Sequence, residues 1–378
     1  MRSVKYIIFS IVLLVAGSCI SPFIPEINET QEMLVVEGII TDQPGVNVVK
    51  LSRSVPLNEE SSSNPVKGCT VTIDDDAGNS FNLTETAAGT YVTDTSEFQG
   101  IIGRKYQLKI KVNSSSSPVR SYESALMEMK PVPPIDSLYY EKVTLKQRAD
   151  LTPVMQGCRI FLDTHDPSGI CEYYRWDYKE TWKFRVPYDI TNDICWISNS
   201  SSEINIKTTA SLSENRVNKF PVIFISNTSD RLNEKYSLLV NQYSLTEDEY
   251  DYWSKLQIIS EEAGSLYDIT PSSITGNIYC IDDPGEQVLG YFSVSAKTSK
   301  RIFIEDNFAG LPNLYLKCAT DTVFNNDTIP GLNQYIWVIM TFDYAMPPYK
   351  ILTTYETCAD CTVRGTKTKP VWWRDDKD

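Results

Sequence analysis

Histidine is almost absent from the sequence: His165 is the single one among 378 residues. That scarcity excludes metal sites built from several imidazoles and leaves one candidate base for any Ser-His-Asp arrangement. Cations are also in deficit. Lys and Arg total 35 against 49 Asp and Glu, a formal net charge of −14, whereas nucleic-acid binding calls for clustered basic residues. The apolar run from Tyr6 to Ala16 is too short to span a membrane. P-loop, dinucleotide-binding and G-x-S-x-G fingerprints are missing. Aromatic side chains, by contrast, are plentiful: 22 Tyr, 13 Phe and 7 Trp in a chain that is 42% hydrophobic. That composition fits a folded protein of about two domains rather than a disordered chain.

The N-terminus reads as an export signal. Arg2 and Lys5 form a positive n-region, Tyr6 to Ala16 an apolar h-region, and Ala16-Gly17-Ser18 lead directly into Cys19. Small residues before a cysteine form the acceptor pattern of bacterial lipoproteins, so lipidation of Cys19 is expected. An ordinary signal peptide with a chance cysteine is the alternative. Several acyl chains on Cys19 would hold the protein stably, at about 0.8 kcal/mol per buried methylene. Removing residues 1–18 takes away two cations and no acids, so −14 becomes −16.

Eight cysteines then remain beyond the anchor: Cys69, Cys158, Cys171, Cys195, Cys280, Cys318, Cys358 and Cys361. An even number in an exported chain points to disulfides, with the pairing left open. Cys358 and Cys361 form the one close pair. A zinc site would need two further soft ligands, and a redox site a thioredoxin-like setting, so structural disulfides are the favoured reading.

Residues 19–32 read as a polar tether. From Leu34 onward, short apolar runs alternate with turn residues, as at Asp42-Gln43-Pro44-Gly45 and Asp74 to Asn79. This spacing predicts an immunoglobulin-like antiparallel β-sandwich over residues 33–130. The stiff Pro131-Val132-Pro133-Pro134 run marks its end. Residues 135–349 read as a second, larger β-rich domain carrying one amphipathic helix near 247–263. Thr246 can cap that helix, Glu249 can close a capping box, and Tyr250, Trp253, Leu256 and Ile259 recur at helical spacing as its core stripe. Residues 350–378 read as a cysteine-containing tail. The fold class is therefore mainly β.

No catalytic residue, metal site or cofactor is expected. His165, in Asp163-Thr164-His165-Asp166, reads as a turn residue rather than a base, and Asp74-Asp75-Asp76 as a solvated turn rather than a calcium loop. The best ligand candidate is the aromatic cluster from Tyr173 to Tyr188. On a strand, Tyr174, Trp176 and Tyr178 share one face, with Trp182 further along. Such a row suits a sugar, an aromatic ligand or a partner surface, with core packing as the competing reading.

Several motifs together carry a family resemblance. They are Leu34-Val35-Val36-Glu37-Gly38 with Thr41-Asp42, Gly89-Thr90-Tyr91, Pro133-Pro134-Ile135-Asp136-Ser137, and Asp166-Pro167 with Tyr173-Tyr174-Arg175-Trp176. Gly264-Ser265-Leu266-Tyr267-Asp268, Gly276-Asn277-Ile278, Val288-Leu289-Gly290-Tyr291-Phe292 and the tail Cys358-x-x-Cys361 with Trp372-Trp373 complete the set. On these stretches the chain resembles the Bacteroidota outer-membrane lipoproteins grouped under a domain of unknown function and often encoded beside TonB-dependent transporters. The resemblance implies a lipid-anchored outer-membrane protein at the cell surface, the periplasmic face being the alternative. It also implies a TonB-dependent transporter as partner. The expected role is non-catalytic: binding a nutrient (small molecule, glycan or peptide) or docking on the channel. A cell-surface hydrolase of glycan or peptide, or a structural or adhesion module, are the alternatives. Nucleic acid is not an expected partner.

Overall fold

A computed structural model describes residues 32–55, 64–113, 119–145, 155–187, 191–262, 274–305, 318, 321–324, 335–336 and 350–374. The signal segment, Cys19 and nearly all of the tether lie outside the described residues. The protein is mainly β, as its alternating patterns predict.

The first half supplies ten strands: β1 (Leu34–Ile40), β2 (Val48–Arg53), β3 (Asn64–Pro65), β4 (Thr70–Asp75), β5 (Ser80–Asn82), β6 (Thr84–Ala87), β7 (Thr90–Val92), β8 (Lys105–Val112), β9 (Arg120–Ser124) and β10 (Met127–Glu128). They form two facing sheets around one core of alternate residues, including Leu34, Val36, Ile73, Leu108 and Ile110. Its turns are the expected ones. Asp75 accepts backbone N–H bonds from Ala77 and Asn79 to close the β4–β5 hairpin. Tyr91 is buried and anchors a neighbouring turn, donating its hydroxyl to the Val66 carbonyl and accepting from the Cys69 N–H.

Seven strands follow: β11 (Ile135–Leu145), β12 (Met155–His165), β13 (Tyr173–Arg185), β14 (Ile194–Ser200), β15 (Asn205–Thr208), β16 (Arg216–Ser226) and β17 (Lys235–Ser244). Sheet β11-β12-β16 faces sheet β14-β13-β17 across a second core. Helix α1 (Glu247–Glu262) comes next, within one residue of its expected span. The Thr246 hydroxyl accepts from the Glu249 N–H at 3.3 Å, which is half of the expected capping box. The Glu249 carboxylate does not complete it, because it is turned into the protein. No helix among the described residues is long and apolar enough to cross a membrane.

Residues 135–349 are not a separate unit. After α1 the chain returns to the first sandwich, where β18 (Ile278–Cys280) pairs with β9 and β19 (Val288–Val294) pairs in parallel with β1. The physical reason is the edge of β1. Its hairpin with β2 satisfies one side only, and an open edge needs a partner. Beyond Ser295 and Ala296 the chain enters the second sandwich as β20 (Lys297–Ile304), alongside β17. The two crossings touch, since Lys130 and Ser295 form a β-bridge. The proline-containing connector is clamped as well. Gln242 donates to the Pro133 carbonyl at 2.7 Å and accepts from the Trp176 indole at 2.8 Å, while the Ser244 hydroxyl donates to the Lys130 carbonyl.

The Gly276-Asn277 and Val288 to Phe292 motifs account for the return. The Asn277 side chain is buried and donates to the Phe292 carbonyl while accepting its N–H, at 2.8 and 2.9 Å. Gly290 has φ +92°, and a Cβ there would lie 2.0 Å from the Val36 carbonyl oxygen. A Cβ on Gly276 would lie 1.7 Å from the Gly290 oxygen. Only glycine permits this approach of three backbones.

The tail begins as β23 (Lys350–Tyr355), flanked by β21 (Asp321–Phe324) and β22 (Tyr335–Ile336). Cys361 bridges to Cys195 and Cys358 to Cys318. Trp373 is buried against Trp196 and Phe303, and the Arg301 guanidinium lies 3.5 Å from the Trp372 ring centre, so the tryptophan pair covers the side of the second sandwich.

The other four cysteines, expected in disulfides, keep their thiols: Cys69, Cys158, Cys171 and Cys280. Cys280 pairs with Tyr122, Tyr122 with Ile110, and Ile110 with Val71, two residues from Cys69. Three strand spacings, about 14 Å, exceed the reach of a disulfide. Cys158 lies seven residues before the end of β12, roughly 20 Å of strand from the turn that precedes Cys171.

Two outcomes follow from this architecture. Gly290→Ala is expected to lower stability by roughly 2–4 kcal/mol through backbone strain and displacement of β1, read as the shift in the urea unfolding midpoint. The Cys195–Cys361 bridge joins residues 166 apart. Replacing both by Ser is expected to cost roughly 3–5 kcal/mol, with thiol reductant lowering the wild-type midpoint further than that of the double variant, which keeps the Cys318–Cys358 bridge and loses that one alone.

Candidate functional site

The aromatic row does share one face of β13, as its alternation predicts, but that face is core. Tyr174, Trp176, Tyr178 and Trp182 are all buried in the second sandwich. Tyr174 stacks on Trp176, and Trp176 packs on Phe220 at 4.3 Å. The reading of these four residues as a ligand or partner surface is therefore overturned. Both sheets must fill the space between them, and large rings on consecutive inward positions do so. His165 is the last residue of β12 rather than a turn residue, and its Nδ1 lies 2.6 Å from an Asp136 oxygen.

The opposite face of β13 is more informative. Tyr173, Arg175, Asp177 and Lys179 alternate with the buried row. Arg175 lies where α1 meets both sandwiches. Helix α1 covers the outer face of the β19-β1-β2 sheet, facing the odd-numbered residues Val35, Glu37 and Ile39, whose even-numbered neighbours fill the core. Between helix and sheet is an apolar cleft of about 520 Å³, bounded by Val35, Ile39, Tyr252, Trp253, Leu256 and Leu289, with Glu37, Lys50, Arg175 and Ser293 as polar lining. That volume falls in the about 300–1,000 Å³ range of small-molecule sites. A second, polar cavity of about 400 Å³ shares Arg175 and Trp253 with the first and adds Asp177, Ser202, Asn205 and Asn241.

Aromatic rings pack against the Arg175 guanidinium. Its central carbon is 4.7 Å from the Tyr243 ring centre and 4.6 Å from that of Trp253. Tyr243 is its cross-strand partner and Trp253 comes from α1, so two elements fix one cation. Among the described residues no carboxylate lies within ion-pair distance of it, and its Nε is buried with no acceptor. Other polar atoms nearby share this condition. Asn205 Nδ2, Glu249 Oε2 and Ser295 Oγ are buried and unpartnered.

Glu249 is wholly buried. One of its oxygens accepts from the Trp253 indole at 3.3 Å. Burial pushes its carboxyl up to about 7, against the opposing pull of Ser293, Arg175 and Trp253. Glu180 provides the contrast. It too is buried, but Tyr236 at 2.9 Å, Arg231 at 3.0 Å and Asn199 at 3.5 Å satisfy it, which marks a structural network.

Sequence comparison aligns residues 20–301 with a family described as a domain of unknown function, DUF4249. The chain belongs to the DUF4249 family. No curated protein matches it. The DUF4249 match runs from the tether through most of β20, so it includes Arg175, α1 and the returning strands, and it stops before the disulfide-bonded tail.

Sequence reasoning located the right strand of this DUF4249 chain and missed Arg175. The available signal was an arginine set directly between aromatics in Tyr173-Tyr174-Arg175-Trp176, with a later helix carrying its own tryptophan. Trp253 and Leu256 of the expected core stripe pack against the first core but are only half-buried, and they also line the cleft.

Glu249 yields a pH prediction. Its folded-state value lies above the ordinary carboxylate value, so the folded state holds the proton more tightly than the unfolded chain. Stability is full below about pH 4.5 and is lost as pH rises through 7, by about 3 kcal/mol in all. Unfolding midpoints from pH 5 to pH 8 should fall for the wild type and stay nearly level for Glu249→Gln, which should be the more stable of the two at pH 8.

Proposed function

We propose that the protein is a lipid-anchored outer-membrane lipoprotein that works beside a TonB-dependent transporter as a non-catalytic binding component. Cys19 is its anchor, the cell surface its working side, and the cleft under α1 its ligand site. The observation that carries this reading is the cleft itself. It is mostly apolar, it lies where two sandwiches and a helix meet, and it holds a cation that the described protein groups leave without a hydrogen bond. Such a site suits retention of a ligand.

The placement in the envelope rests on the sequence: an n-region, a short h-region, small residues and Cys19. Two disulfides fit an oxidising compartment. Membership of DUF4249 agrees with the resemblance to a family grouped under a domain of unknown function.

Cys19→Ala is the direct test of the anchor. The variant should move from the membrane pellet to the soluble fraction, and continued retention would refute lipidation at that residue. Mild detergent extraction of the wild type should recover a TonB-dependent transporter with it. Recovery of the protein alone, across several detergents, would refute the partnership.

A further inference from the structure

We infer that the cleft binds an apolar monocarboxylate, its body against α1 and β1 and its carboxylate on Arg175. This rests on the binding role proposed above and specifies the ligand class. Three observations carry it.

The first is the state of Arg175. A guanidinium has five N–H donors in a planar fork and stays charged at any ordinary pH. Here two aromatic rings pack on it, and no described side chain or carbonyl accepts from it. Rings fix its orientation without using its donors. A carboxylate is the planar acceptor that matches such a fork in two parallel hydrogen bonds.

The second is Asn205, about nine-tenths buried at the start of β15. Its Nδ2 lacks an acceptor, and it lines the polar cavity together with Arg175. Two unmet donors on one cavity call for an anionic or carbonyl acceptor, since each buried donor left unmade costs about 1–3 kcal/mol.

The third is the remainder of the lining. Val35, Ile39, Leu256 and Leu289 offer only apolar contact. At the cleft's other polar positions, Glu37 and Lys50 are direct cross-strand partners of opposite charge. With Glu37 and Lys50 balancing each other, Arg175 supplies the net positive charge of the lining, which favours one negative charge over a polyanion. Glu249 competes for that cation less than an ordinary carboxylate would, because burial pushes its carboxyl up to about 7.

The carboxylate could belong to an aliphatic acid or to the C-terminus of a hydrophobic peptide, so both are used as probes. Decanoate and N-acetyl-leucyl-phenylalanine are titrated calorimetrically into the lipid-free mature protein at pH 7. Each is compared with its uncharged counterpart, decanol or the peptide amide. At least one acid should bind ten-fold or more tightly than its counterpart. Arg175→Gln should reduce that preference to less than two-fold, and Arg175→Lys should retain part of it. Leu256→Trp, which fills the cleft, should weaken acid and neutral probes alike. Unfolding midpoints near that of the wild type establish that each variant is folded.

Equal binding of both acids and their respective counterparts would overturn the inference while leaving a binding cleft in place. So would a preference that survives Arg175→Gln. Absence of binding by all four probes would overturn it as well. The envelope reading is judged separately, by the Cys19→Ala fractionation and the transporter co-purification, neither of which needs a ligand.

Discussion

The parallel pairing of β1 with β19 is the constraint on which the rest of the molecule depends. Residues 34–40 and 288–294 are far apart in sequence yet register residue by residue, with Val36 opposite Gly290. The chain from β11 to β17 must leave the first sandwich and come back. The outgoing chain is held by hydrogen bonds from Gln242 and Ser244, and the returning chain by the Asn277 amide on Phe292. Because β19 runs almost directly into β20, the second sandwich is fixed to the first through continuous backbone rather than through a loose linker. Among the described residues helix α1 is the last element before the return, and it lies over the sheet that the return completes.

Buried polar groups in this seam divide into two kinds. Gln242, Asn277 and Ser244 have partners and serve the architecture. Glu180, deeper in the second sandwich, is equally well satisfied. Arg175 Nε, Asn205 Nδ2, Glu249 Oε2 and Ser295 Oγ are not. Unmet buried groups oppose folding, so these mark a place where stability has been given up, as do the Trp182, Trp196 and Trp373 indoles elsewhere.

Local patterns carried much of the fold. Alternation in Leu34 to Ile40 and in Tyr173 to Arg185, the turns at Asp75 and Asp166, and the capped span from Thr246 are each set by a few neighbouring residues. The re-entry of the chain into the first sandwich was not legible, because strand pairing across some 250 residues leaves no periodic trace. The cysteine count was misleading for a similar reason. Pairing depends on distances between strands, and Cys280 and Cys69 lie three strands apart. At the candidate site, the period-2 rule placed Tyr174, Trp176 and Tyr178 together but could not say which face of β13 was covered. The second sheet covers that face, which leaves Arg175 on the other.

Helix α1 couples the two halves more tightly than its modest length suggests. Tyr252 packs on Tyr291 of β19 with ring centres 4.7 Å apart, Trp253 packs on Arg175 of β13, and Gln257 donates to the Ile204 carbonyl at 2.9 Å. Successive residues of one helix thus hold strands from different sandwiches. An occupant of the cleft would touch β1, β19, α1 and Arg175 at once, and a ligand that binds only the assembled arrangement stabilises it by mass action. Occupancy and the rigidity of the seam are therefore linked quantities. The unfilled donors of Arg175 and Asn205 lie where that linkage is strongest, between the strand that binds the helix and the helix that closes the cleft.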